Sequence, residues 1–225
     1  MTRTIILVIV VVALILNTVG EVTGFVIAAA IGSGFMTASS SPATVFAALL
    51  LMFGYWVALS DRAAAEPTWS AGIFARGVAY LVDLFAAFAI LPPLFALPLL
   101  WAEAGRTGSF SWSIERTELV PTDATIGMPL LALAVVLLNL YFAYPLTRGT
   151  QTLGCRLLGI RMIDFDNAER VPMGRAVVRS FLAFLGACGF FITLPLAWWS
   201  GERGVMWYDE IMDTRAVKLK GAVGD

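Results

Sequence analysis

A chain of 225 residues that is 59% hydrophobic, only 14% charged and of formal net charge −1 is too apolar for a soluble domain and lacks the basic excess of a nucleic-acid binder. Histidine is absent, so the side chain that ordinarily titrates near neutral pH is missing and any proton chemistry falls to carboxylates. The two cysteines, Cys155 and Cys188, stand in no CxxC or Cys/His cluster and read as free thiols, with no disulfide framework, metal site or cofactor implied.

The predicted fold is an all-α integral membrane protein: four transmembrane helices, a fifth apolar segment that is bent or re-entrant, and a small cytoplasmic β-hairpin. Residues 1–66 form an amino-terminal pair of spans, 67–220 the main membrane domain and 221–225 a tail. The first span runs from Thr4 to Ala30, opening on an aliphatic run and turning small and polar through Asn17, Gly20, Glu21 and Gly24 before the apolar character resumes. That resumption favours a long or broken membrane helix over a cleaved signal peptide. Glu21 is then either an acid at membrane depth, and a candidate ion or proton site, or a headgroup-level residue of a tilted helix. Gly32 to Pro42 reads as a polar loop, and Ala43 to Ser60 as the second span, with Tyr55 and Trp56 as interfacial aromatics.

Phe74 to Trp101 is the third span and the segment around which the rest is organised. At about 1.5 Å per residue it crosses the roughly 30 Å hydrocarbon core, yet it carries Arg76 at its start and Asp83 well inside. A charge at that depth costs about 3 kcal/mol, so something must offset it. Seven residues place the two on one helical face about 10 Å apart, too far for direct contact. Pro92 and Pro93 predict a kink. Glu103 to Thr125 is an acidic external loop in which SFSWSIE alternates like a short strand, and Ile126 to Leu146 is the fourth span.

Arg148, Arg156, Arg161, Arg170, Arg175 and Arg179 follow, and the positive-inside rule assigns them, and by counting back the amino terminus, to the cytoplasm. RLLGIRMID and TRAVKLK both read as strands; pairing them puts both on one side and favours a re-entrant Phe181 to Trp199 over a single crossing. QTLG, from Gln151 to Gly154, lacks the Lys-Ser ending of a phosphate loop and reads as a tight turn.

Three charged positions and the phrases around them now stand out: Arg76 and Asp83 in ARGVAYLVDLF, QTLGCRLLGIRMID from Gln151 to Asp164, Arg179 opening the next apolar segment, and Asp209 with Thr214 in YDEIMDTRAV. Together, over roughly residues 70–220, they resemble the RDD family of membrane proteins, named for one arginine and two aspartates. The resemblance marks Arg76, Asp83 and Asp209 as the charged triad and Gln151, Thr152, Gly154, Arg179 and Thr214 as motif positions. Cys155 stands where the family usually has a basic residue, and Asp213 where it usually has glycine; the extra carboxylate of Asp213 either strengthens a cation site or faces water.

Pairing Arg76 with Asp209 neutralises both and leaves Asp83 without an ionic partner, free to exchange a proton for a cation. The alternative is that Asp83 hydrogen-bonds Tyr80, another hydroxyl or a backbone carbonyl and only fixes packing. The resemblance implies a small transporter in a bacterial inner membrane, carrying monovalent cations (sodium/proton exchange among them) or another small solute, and four or five spans make so thin a bundle around a pathway that a homo-oligomer is expected. The competing class is a scaffold or assembly factor whose charges are structural, with the basic loop docking a partner or anionic lipid. No nucleophile beside a base argues for an enzyme.

Overall fold

The computed structural model describes residues 2–19, 24–30, 33–60, 67–116, 121–164, 170–188 and 206–219. The elements run α1 (Thr2–Val19), β1 (Gly24–Ala30), β2 (Ser33–Ser39), α2 (Pro42–Ser60), β3 (Pro67–Ser70), α3 (Ile73–Thr107), β4 (Ser113–Arg116), α4 (Pro121–Arg148), α5 (Leu153–Leu158), β5 (Ile160–Asp164), α6 (Met173–Cys188), α7 (Trp207–Ile211) and β6 (Thr214–Leu219). Within the described residues, three helices are long and apolar enough to cross a membrane: Pro42–Ser60, Ile73–Thr107 and Thr125–Arg148. They match the second, third and fourth predicted spans. Large apolar side chains such as Phe46, Phe53, Leu81, Phe88 and Val135 are exposed along them, the pattern that lipid contact requires and water would penalise.

The first predicted span is corrected. Apolar helix α1 stops at Val19, and Gly24–Ala30 is a strand instead of the second half of a helix. Gly24 opens this strand, and the residues after it find backbone partners across a strand ladder. Ser33–Ser39, expected as loop, supplies that ladder: β2 pairs antiparallel with β1 from Gly24↔Ser39 to Ala30↔Ser33, and on its other edge with β4. The strand expected in SFSWSIE is therefore present, as the third member of a sheet of order β1-β2-β4. Helix α3 continues through Pro92, Pro93 and Pro98.

The chain divides into two compact units: Met1–Leu7 with Tyr55–Leu84 and Leu138–Asp225, and Val8–Gly54 with Phe85–Leu137. The second packs Ala38, Ala96, Leu99, Leu100 and Ile114, flanked by Ile126 and Leu130. The first contains the sheet β3-β6-β5, in which β5 and β6 pair antiparallel from Ile160↔Lys218 to Asp164↔Thr214. This is the hairpin-like pairing expected of RLLGIRMID and TRAVKLK, except that Leu153–Leu158 is a helical turn. Gly159, at φ 65, ends that turn in the left-handed conformation and lets β5 begin at once. Helix α6 covers Met173–Cys188; the remainder of the predicted re-entrant segment, 189–199, lies outside the described residues.

Small residues hold this unit together. Ala71, Ala79, Ala143, Ala176 and Ala216 pack with Leu146, Ile160, Met162 and Val171. Apolar helices gain nothing hydrophobic by leaving lipid for one another, so close backbone approach and dispersion carry the association. The contact of α5 with α3 is the closest case. A Cβ on Gly154 would overlap the carbonyl group of Ala79, so the α5 turn can sit there only with glycine at this position.

Candidate functional site

Two polar clusters form inside the first unit, and both include residues of α3. Arg76 lies in the first turn of α3, Asp209 in the first turn of α7 and Arg179 midway along α6; all three are buried. Arg76 Nη2 is ion-paired with Asp209 Oδ2. Arg179 grips the other oxygen, donating to Asp209 Oδ1 from Nε at 2.9 Å and from Nη2 at 2.5 Å. Its Nε also reaches Thr214 Oγ1 at 3.1 Å, and its guanidinium lies 5.4 Å from the ring centre of Tyr208. The Arg76–Asp209 pairing expected from sequence is present, but one carboxylate serves two arginines, and the second, Arg179, is marked in the sequence only as a motif position. Among the described residues, Asp209 is the acid set between the two guanidiniums, one carboxylate against two positive charges.

Asp83, two turns after Arg76, is 2% exposed. Among the described residues it has no ion-pair partner, yet its oxygens are well supplied with hydrogen bonds. Tyr141 Oη donates to Oδ1 at 2.9 Å, Gly154 N to Oδ1 at 2.8 Å and Thr152 Oγ1 to Oδ2 at 2.6 Å. Three donors aimed at a carboxylate offset much of the cost of burying it. The tight turn read into QTLG is thus a site element: Thr152 caps α5, accepting from Cys155 N at 3.4 Å, while Asp83 takes the next free backbone N–H of the same turn. Gln151 donates to Ile160 O and accepts from Arg156 Nη1 at 2.9 Å, tying the same turn to β5.

The tyrosine hydroxyl bonded to Asp83 is that of Tyr141, beside the Thr152 hydroxyl. Tyr141 was visible in the sequence only as one of an aromatic cluster; its ring is stacked on Tyr55 at 4.5 Å, and its carbonyl accepts from Tyr55 Oη at 2.8 Å. Tyr80 instead stacks on Phe142 at 5.4 Å. Asp213 is exposed, in a turn, and is not among the residues lining the cavity described next. At φ 50 it is the single non-glycine residue among those described with a left-handed backbone. Glu21 lies outside the described residues.

A cavity of about 80 Å³ brings the clusters together, bounded by Arg76, Tyr80, Asp83, Thr152, Arg179 and Tyr208 with apolar neighbours between them. It has room for a few waters or a small solute. Cys155 also lines it; burial, and then the charge of Asp83, push its thiol up to about 12, well above an ordinary cysteine.

Among known proteins, the comparisons return a family and no individual relative: no curated protein and no solved structure matches the chain. The RDD family model matches residues 70–213, which takes in Arg76, Asp83, Gln151, Thr152, Gly154, Arg179 and Asp209 and leaves Thr214 one residue beyond its end. With its membrane-length apolar helices and this match over most of its length, the chain is a membrane protein and belongs to the RDD family.

Proposed function

We propose that the protein is a small-solute transporter in which Asp83 carries the coupling cation, a proton or a competing monovalent cation such as sodium. The observation behind this reading is the cavity itself, with Asp83 on its wall and Arg76 and Arg179 on the same lining. An intramembrane carboxylate beside a space that can hold water has a means of losing and regaining a proton. Its donors are suited to exchange: the hydroxyls of Tyr141 and Thr152 can rotate, so they donate to a carboxylate and turn to accept from a carboxylic acid. We place the protein in a bacterial inner membrane with the amino terminus and the arginine-rich segment after α4 on the cytoplasmic side, acting without catalysis and as a homo-oligomer.

A second reading has its own support. Three donors on Asp83 are also what a purely structural residue would have, and then the protein is a scaffold in which buried charges fix helix contacts. Purified protein in proteoliposomes with a trapped pH dye separates the two. The transport reading expects cation-dependent proton flux that is lost in Asp83→Asn while the variant remains folded. Flux unchanged by Asp83→Asn removes Asp83 from transport, and no flux with wild type favours the scaffold.

A further inference from the structure

We infer that the arginine end of the cavity binds a small monocarboxylate, bound together with a proton on Asp83; this rests on the cavity being a solute site. The argument begins with charge. Among the described residues, the charged groups that line the cavity or pair with its lining are Arg76, Arg179, Asp209 and ionised Asp83, which sum to zero, the state that a low-dielectric interior favours. Neutralise Asp83 with a proton and the set becomes net positive by one. One small anion restores neutrality, so anion and proton enter as a pair.

Geometry says where the anion sits. Arg179 holds Asp209 with Nε and Nη2, and its Nη1 makes no hydrogen bond among the described residues. Arg179 lines the cavity whereas Asp209 does not, so the guanidinium presents donors to a solute while its counter-ion stays behind it. Guanidinium donors match a carboxylate. The remaining wall includes Ala79, Phe142, Leu146 and Ala183, which suits a short apolar tail and disfavours a second charge. The cavity volume of about 80 Å³ keeps that tail short.

The titratable and charged groups around the proton-bearing carboxylate are Arg76 and Tyr80 on α3, Tyr141 on α4 with Tyr55 of α2 stacked against it, Cys155 on α5, Arg179 on α6 and Tyr208 and Asp209 on α7. Of these, Asp83 is the group whose neutralisation balances the incoming anion.

The test is equilibrium binding of radiolabelled acetate to the full chain, purified in detergent and sodium-free buffer. Wild type is expected to bind saturably, with affinity that weakens by about tenfold per pH unit once Asp83 is ionised. Asp83→Asn, permanently neutral, binds acetate with an affinity that no longer depends on pH. Ala183→Leu fills the cavity without touching the charge network and abolishes binding. The inference is overturned by chloride binding without acetate binding, by a wild-type affinity that is flat with pH, or by no saturable acetate binding in either wild type or Asp83→Asn. Proton flux in vesicles with no acetate binding sinks the inference and leaves the transport reading; acetate binding with no flux supports the inference and sinks transport.

Discussion

Thr152 donates its hydroxyl to Asp83 across 2.6 Å, and the same oxygen accepts the backbone N–H of Cys155 at 3.4 Å. One side chain thus caps the α5 turn and fastens it to a buried carboxylate 69 residues earlier. Thr152→Val keeps the shape and removes both bonds, so it should destabilise the protein by about 1 to 3 kcal/mol, whereas Thr152→Ser should cost far less. Unfolding of both variants in detergent measures the difference.

Asp209 is the counter-ion of two buried arginines. Asp209→Asn takes away the carboxylate charge that both guanidiniums hold and should cost about 3 to 5 kcal/mol. Because Arg179 and Asp209 share one network, adding Arg179→Gln should cost less than the two single losses combined, with a coupling of about 1 to 3 kcal/mol. A double-mutant cycle on thermal or denaturant unfolding gives that coupling; strict additivity would show that the two act independently.

Two positions make opposite predictions about glycine. Gly154→Ala forces a methyl group into the backbone of Ala79 and should destabilise by about 1 to 3 kcal/mol or displace α5. Asp213→Gly relieves a left-handed backbone on an exposed turn and should stabilise by about 0.5 to 1 kcal/mol, a gain of a few degrees or less in melting temperature.

Cys155 supplies a chemical probe of the cavity. With its thiol pushed up to about 12, the thiolate at pH 8 is scarcer than in a free cysteine by about 10³-fold, and maleimide labelling should be slowed accordingly. Measured in a Cys188→Ser background, the rate should climb with rising pH. Asp83→Asn removes a negative charge that opposes the thiolate and should speed labelling at fixed pH.

Much of the architecture was legible from residue order, since a continuous apolar run of membrane length has few alternatives to a helix. The three long spans fall where predicted, and Arg76 and Asp83 could be singled out because charge within an apolar span is costly enough to be conspicuous, whereas Asp209 was marked by the family resemblance. The alternation of SFSWSIE and TRAVKLK likewise announced strands. The failure at Gly24–Ala30 has a plain cause: a short apolar run of small and β-branched residues is compatible with either helix or strand, and pairing with Ser33–Ser39 decided it.

What the linear order determined by itself is the membrane setting, the longer helices and the presence of buried charges that need company. Which partners they take was decided only in three dimensions. Hydrogen bonds join residues 58 to 71 positions apart at Asp83, and the ion pair of Arg76 and Asp209 closes over 133. No spacing rule reaches so far, because such partners are chosen by the desolvation cost of leaving each group alone once the helices have packed.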